Sequence, residues 1–355
     1  MRRIVTLLGL LIICALAVFE YKHQQGNQRA ATLLANFKVI PLGDIGSTRS
    51  LRILPLMEYH SASPELHTEV GVSYLVETDS HRILYDVGHN PDGLDPSPLQ
   101  MNMKTLGIEL DTVDMVFISH NHLDHVGGFH WQRMNTFSLG RDQPPFPNPK
   151  TTLIAPDLMT YPGMHTVYAN KPMQVGDGVG STGLATTGTI GRQLVLGWIE
   201  EHSLVVNVEG LGGVIIVACG HQPVPNLIAR YEQVFDAPLY GIIGGLHFPV
   251  PEGRIKVGPL DPQRQLAAGD GLFDPLTMEE IDRQIALLKQ RNLGIVGVSG
   301  HDSSDEVIEK FRREFGMAHR YIRVGEEIVI GSGNIDSHHE PSAVILGNAV
   351  SKDDL

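Results

Sequence analysis

Short apolar runs, each four to eight residues long and closed by Gly, Pro, Asp or Ser, recur from residue 51 to residue 330. Runs of that length and spacing predict buried β-strands. We place them at 51–57, 70–77, 82–86, 115–118, 151–155, 194–199, 203–208, 214–218, 240–243, 294–298 and 327–330, with a hairpin turn at 210–213. Helical periodicity replaces alternation at fewer places. Residues 98–106 form one short helix, and Leu227, Ile228, Tyr231, Val234 and Phe235 mark one face of another. Two more open on capping boxes, Thr277-Met-Glu-Glu280 and Ser303-Ser-Asp-Glu306, the second stopping at Gly316. Strands cluster in each half with helices after them. This predicts an α/β (α+β) protein built as an αββα four-layer sandwich, two sheets face to face with helices outside. Pro-, Gly- and Ser/Thr-rich stretches at 141–150, 171–191 and 249–275 read as loops, the last two as insertions.

The N-terminus follows a different pattern. Arg2 and Arg3 precede an apolar run, 4–14, and then Ala15-Leu16-Ala17. A charged start, an apolar centre and an A-x-A site are the layout of a secretory signal peptide. We expect residues 1–17 to direct export, periplasmic or secreted, with cleavage after Ala17. The rival is an uncleaved anchor over residues 4–19, short of the ~20 residues a spanning helix needs. Residues 18–45 read as a polar tether, 46–334 as the folded domain and 335–355 as a loose tail. Cleavage would leave Cys219 as the single cysteine, so no intramolecular disulfide is expected. The chain carries 40 acidic against 27 basic residues, a net charge of −13, which repels polyanions and excludes nucleic acid as the natural partner. A small-molecule substrate is expected instead.

Candidate chemistry concentrates behind the run at 115–118. Within six residues come His120, His122, Asp124 and His125, followed by Gly127 and Gly128. Imidazole and carboxylate are the donors that hold Zn²⁺ or a similar ion in an open, catalytic geometry. Two such ions, roughly 3.5–4 Å apart, can clamp a water and a substrate oxygen. Three later histidines, His221, His247 and His301, each follow a strand and a turn of small residues, a context that aims a side chain at one sheet edge.

The His-x-His-x-Asp-His run resembles the signature of the metallo-β-lactamase fold superfamily. The turns Ala218-Cys-Gly-His221, Gly244-Gly-Leu-His247 and Gly300-His-Asp-Ser-Ser304 resemble those of one subgroup, the 7,8-dihydropterin-6-methyl-4-(β-D-ribofuranosyl)aminobenzene-5′-phosphate synthase-like proteins. Many superfamily members end the middle strand with an aspartate that bridges two ions; this chain has Cys219 and Gly220 there. The resemblance implies two divalent ions, Zn²⁺ foremost, with Mn²⁺ or Fe²⁺ as alternatives. His120, His122 and His221 would hold the first; Asp124, His125 and His301 the second. His202 is the rival for the third place on the first ion. Asp124 would also accept a proton, and His247 would face substrate and donate a hydrogen bond or proton. Asp86, in Asp86-Val-Gly88, is either a support behind the ligand turn or a plain turn residue. His67, His89, His130 and His165 read as structural or surface. The implied activity is hydrolysis of an ester, lactone, amide or phosphoester by metal-activated water. A transferase like the subgroup's namesake, with Arg192, Arg254, Lys256 or Arg264 holding phosphate, and a non-catalytic metal-binding protein are the alternatives.

Overall fold

Along each strand alternate side chains leave for opposite faces, and here both faces of most strands are buried. The computed structural model describes residues 2–38, 40–176, 182–195, 197–271 and 274–331; the expected tail at 335–355 lies outside them. The strands are β1 (Ser50–Met57), β2 (Ser73–Thr78), β3 (Arg82–Tyr85), β4 (Met115–Phe117), β5 (Thr152–Ala155), β6 (His165–Tyr168), β7 (Pro172–Gln174), β8 (Leu184–Thr187), β9 (Ile190–Leu194), β10 (Gly197–Glu201), β11 (Leu204–Val208), β12 (Gly212–Val217), β13 (Leu239–Gly244), β14 (Ile295–Val298), β15 (His319–Tyr321) and β16 (Ile328–Gly331). The α-helices are α1 (Arg2–Ala35), α2 (Pro98–Thr105), α3 (Phe129–Arg133), α4 (Val224–Val234), α5 (Pro262–Leu266), α6 (Met278–Lys289) and α7 (Asp305–Phe315).

Two seven-stranded sheets result, in the orders β16-β1-β2-β3-β4-β5-β6 and β15-β14-β13-β12-β11-β8-β7. Ile53, Tyr74, Val76, Ile83, Tyr85 and Phe117 of the first meet Val206, Val214, Ile216 and Ile243 of the second in a shared core. The alternate residues Leu54, Leu75, Leu84 and Val116 face outward beneath Leu99 and Met103 of α2. On the other side Ile215, Val217, Ile242 and Val296 pack under Leu227 and Tyr231 of α4, Ile281 and Ile285 of α6, and Val307 and Phe311 of α7. The four layers are therefore the expected αββα sandwich. The Tyr85 hydroxyl donates to Ile216 O at 3.1 Å, tying the sheets together in mid-core.

Several local expectations need correction. The 171–191 loop contains β7, β8 and the start of β9, with 177–181 outside the described residues. Its Thr-rich composition disguised β8, although Thr is β-branched and suits a strand; the buried Thr186 and Thr187 hydroxyls are bonded to His202 Nδ1 and Gly188 O. The expected strand at 194–199 is the tip of a hairpin. Its apolar residues come from two arms, β9 and β10, that pair Leu194 with Gly197. The N-cap of α7 is Ser304, not Ser303, whose hydroxyl instead donates to Asp302. The insertion at 249–275 contains α5.

Within the expected tether at 18–45, residues 18–35 are helical: α1 is continuous through Ala35. No proline interrupts it, and Gln, Lys, Ala and Leu favour helix. It docks on the β9–β10 hairpin, with the Arg29 guanidinium 4.2 Å from the Trp198 ring centre. His23 Nε2 lies 2.9 Å from Asp270 O, and Asn27 Nδ2 donates to the same carbonyl at 3.0 Å. Among the described residues no helix is long and apolar enough to cross a membrane.

What positions the site is register. β12, β13 and β14 run parallel, pairing Val217 with Gly244 and Gly244 with Val298, so their C-terminal ends are level. In the other sheet β3 and β4 pair Tyr85 with Phe117. Gly244 holds φ at +125°, and a methyl group there would run into Val217 O. We expect Gly244→Ala to destabilise the protein by at least ~2 kcal/mol, read as a lower urea midpoint. An unchanged midpoint would show that the strand end can relax.

Candidate metal centre

After β4 the chain stays in register for one more residue, Ile118 N donating to Ile154 O at 2.9 Å, and then leaves the sheet. His120 and His122 follow, their ring centres 4.6 Å apart. A tight turn, His125 N to His122 O at 3.0 Å, brings Asp124 and His125 back toward them. Gly127 closes the turn at φ +87°, where a Cβ would strike Ser138 O. Behind this loop, at the end of β3, sits the fully buried Asp86. Its carboxylate accepts from Ser119 N at 2.8 Å and Ser119 Oγ at 2.7 Å, and lies 2.8 Å from His125 Nδ1. Asp86 therefore supports the ligand loop and fixes which His125 nitrogen faces the site.

The second sheet answers from the level ends of its parallel strands. Past β12, Glu201 Oε1 accepts from Cys219 N at 3.1 Å and Gly220 N at 3.0 Å, and its Oε2 accepts from His221 N at 2.9 Å. Arg192 donates to His221 O from outside. Past β13, His247 adopts φ +53°, rare for a side-chain-bearing residue, while Asp302 Oδ2 accepts its N–H at 2.9 Å. Past β14, Ser299 Oγ is 2.5 Å from His301 Nδ1 and hydrogen-bonds the buried Glu58 carboxylate.

Cys219 lies at the middle. Its Sγ is 3.3 Å from both His125 Nε2 and His301 Nε2. Donor atoms of Asp124, His125, Cys219 and His301 lie within 4.8 Å of one another, as do those of His120, Cys219 and His221, and those of Cys219, His247 and Asp302. His122 Nδ1 is 3.0 Å from His221 Nε2, joining the second group. His120 Nε2, His221 Nδ1 and both His247 ring nitrogens are buried without a hydrogen-bond partner. Buried polar atoms are costly when unpaired, and donors of this kind converging on one spot suit a divalent cation.

Electrostatics agree. Burial, then repulsion among neighbouring imidazoles, pushes His120 and His221 well below the ordinary histidine range, so they are neutral donors. Burial, then His125, does the same to His301. Burial, then Arg192, takes His247 down to about 3. At His125 burial is outweighed by the Asp124 and Asp86 carboxylates, and its pKa rises to about 9. Burial, then Asp124, raises the Cys219 thiol well above its usual value.

All seven sequence-predicted residues, His120, His122, Asp124, His125, His221, His247 and His301, thus meet at one edge of the two sheets. His202 does not. Its Nε2 is 2.8 Å from Ile118 O, its Nδ1 2.8 Å from Thr186 Oγ1, and its ring stacks on Phe117 at 4.2 Å. His67, His130 and His165 are exposed and His89 is half-buried. Sequence reasoning missed Cys219 and Asp302 as donors, and Glu201 as a support. The available signal was positional: Cys219 stands where many superfamily members carry a bridging aspartate.

A family model for the metallo-β-lactamase superfamily matches residues 68–131, the stretch holding the first four donors. The chain is 24% identical over 244 residues to the 7,8-dihydropterin-6-methyl-4-(β-D-ribofuranosyl)-aminobenzene-5′-phosphate synthase of Methanocaldococcus jannaschii, covering 58% of this chain and 80% of that one. A shorter stretch, 76 residues at 40% identity, resembles the cleavage and polyadenylation specificity factor 73 of Drosophila melanogaster, covering 21% of this chain and 10% of that protein. Among solved structures, one described as a metal-dependent hydrolase of the β-lactamase superfamily superposes with a TM-score of 0.52 at 17% identity, over 79% of this chain and all of the other, and so shares the fold. Residues 68–131 thus match the metallo-β-lactamase superfamily model, and the two-sheet sandwich is the metallo-β-lactamase fold. The proteins it is similar to include a metal-dependent hydrolase and a synthase.

His202 generates a pH prediction. Its folded pKa is depressed to about 4, chiefly by burial. Its contribution is therefore complete above the ordinary value near 6.5 and is lost as pH falls from there toward 4. His202→Leu is expected to remove an acid-labile increment on the order of 3 kcal/mol from urea unfolding of metal-free protein compared at pH 7.5 and 4.5. Metal bound per chain should not change. A drop in bound metal would reinstate His202 as a ligand.

Proposed function

We propose that the protein is a metal-dependent hydrolase that cleaves an ester, lactone, amide or phosphoester of a small molecule at a centre of two divalent ions. The observation that carries this reading is that Cys219 is common to all three donor groups, two of which draw on the His120–His125 loop. His120, His122 and His221 would hold one ion, and Asp124, His125 and His301 the other, with the Cys219 thiolate common to both. Zn²⁺ suits imidazole, thiolate and carboxylate together; Mn²⁺ and Fe²⁺ are the alternatives. Ions bound there supply Lewis acidity toward a reacting oxygen and lower the pKa of water.

The chain's own groups do the rest. Asp124, whose side chain keeps 20% exposure, can take a proton during attack. His247, held neutral by burial, can donate a hydrogen bond to a substrate oxygen where charge develops; burial disfavours a positively charged proton donor there. Export by residues 1–17 belongs to the same proposal and rests on the N-terminal sequence pattern.

A second reading, a transferase handling a phosphorylated substrate, is suggested by the name of the archaeal relative. It needs cations for phosphate. Arg192 is engaged by His221 O and Gly269 O, Arg254 by Gly300 O and Asp305, Lys256 by Glu252, and Arg264 by Pro251 O. That engagement favours hydrolysis.

Hydrolysis of a panel of 4-nitrophenyl esters, lactones and phosphoesters is expected to disappear with chelator and return with Zn²⁺. Asp86→Asn should weaken metal binding by about 10–100-fold and lower activity at subsaturating metal. No turnover by fully metal-loaded protein across the panel would remove the hydrolase reading.

Metal loading should also release protons. At pH 7.5 metal-free His125 and Cys219 are both protonated, since both are raised, whereas His120, His221 and His301 are already neutral. Calorimetry in buffers of different ionisation enthalpy is expected to show about two protons released per chain, and one fewer in Cys219→Ser. Equal release by parent and variant would exclude Cys219 as a ligand.

A further inference from the structure

Next to His247 and Gly220 opens a cavity of about 300 Å³. Its floor is Leu246, Phe248, Ala268 and Leu276, all buried. Each cation on its wall already has a protein partner. Arg192 donates to two backbone carbonyls and pairs with Asp270 at 3.3 Å, and Arg283 pairs with Glu279 at 2.8 Å. Glu280 is engaged in capping α6 through Thr277. One wall comes from the insertion at 249–275, whose Gly269 and Asp270 line the space beside Ala268. That wall is pinned from behind by α1, because His23 and Asn27 both reach Asp270 O.

We infer that this cavity is the subsite for an uncharged aliphatic acyl arm of the substrate. It rests on the hydrolase reading for the word substrate. An apolar floor repays burial of methylene groups, and the two cations that line the cavity, Arg192 and Arg283, each already hold a carboxylate. His247 lines the cavity and belongs to one of the donor groups, so an arm bound there would bring its polar end to the donor cluster.

The test titrates the full chain, Zn²⁺-loaded and chelator-treated, with acetate, butyrate, hexanoate, octanoate and inorganic phosphate. Affinity is expected to rise about three- to fourfold per methylene in both states, and octanoate should bind more tightly than phosphate. Ala268→Trp, which fills the cavity, should bring the octanoate-to-acetate affinity ratio close to one. Leu276→Ala, which enlarges it, should move the preferred length to a longer chain, and circular dichroism checks that each variant is folded. Affinities indifferent to chain length, or phosphate binding above octanoate, would overturn the inference. The matching 4-nitrophenyl esters separate it from the reading it rests on. Length-dependent binding without ester turnover would keep the cavity and remove the hydrolase. Turnover indifferent to length would keep the hydrolase and remove the acyl subsite.

Discussion

Buried carboxylates behind the donor turns are the constraint on which this site depends. The strands end at the sheet edge, and nothing in their register fixes the turns beyond it. Glu201 accepts three successive N–H groups, from Cys219, Gly220 and His221, and so sets the path of one turn. Asp86 does the same for the loop at Ser119 and His125, Asp302 for His247, and Glu58 acts through Ser299 on His301. Removing four carboxyl groups from water is expensive, and burial is the main cause that raises the pKa of each, joined at Asp302 by the Glu58 and Glu201 carboxylates. Each is tolerated because its oxygens are hydrogen-bonded, and those bonds leave the imidazoles little freedom to turn away.

The fold was legible because its signal is repetitive. Alternation within β1, β2 and β3 separates the inter-sheet core from the outer cores residue by residue, as Ile53 and Leu54 or Tyr74 and Leu75 show. β8 was illegible because Thr186 and Thr187 look like loop residues until the His202 ring that bonds Thr186 is in place. The 194–199 segment misled because a hairpin tip can mix apolar residues from two arms. The docking of α1 depends on Trp198 and Asp270, far away in sequence, and could not be read locally. At the site, the His-x-His-x-Asp-His run found His120, His122 and His125, and the strand–small-turn–histidine context found His221, His247 and His301. Cys219 was passed over because a lone cysteine after an apolar strand is most often packing.

The segments that depart from the resemblance converge in space. The insertion at 249–275 and the helix at the N-terminus meet at Asp270, and the cavity beside His247 lies against that meeting point. The edge that carries the donor cluster is assembled from the shared sandwich, while the wall that would read the substrate comes from the segments that depart from the resemblance. Arg192 links the two: its guanidinium spans His221 O on one side and Gly269 O on the other. A shift in the insertion would therefore be felt at a proposed ligand turn.

On the proposed two-ion reading, Cys219 in place of a bridging carboxylate would alter the centre in a definite direction. A carboxylate offers two hard oxygens; a thiolate offers one soft atom, which favours Zn²⁺ over Mn²⁺ among ions of equal charge. Without a metal the thiol is pushed up by burial and by Asp124 and stays protonated, so it neither attacks nor oxidises readily. Cys14, the other cysteine, is exposed on α1 within the expected export segment. Loss of that segment would leave Cys219 without a disulfide partner in its own chain. A single buried thiol, kept inert until a cation lowers its pKa, is therefore compatible with an oxidising exterior. On the proposed metal-centre reading it would also couple metal capture to proton release, at the position where many superfamily members carry an aspartate.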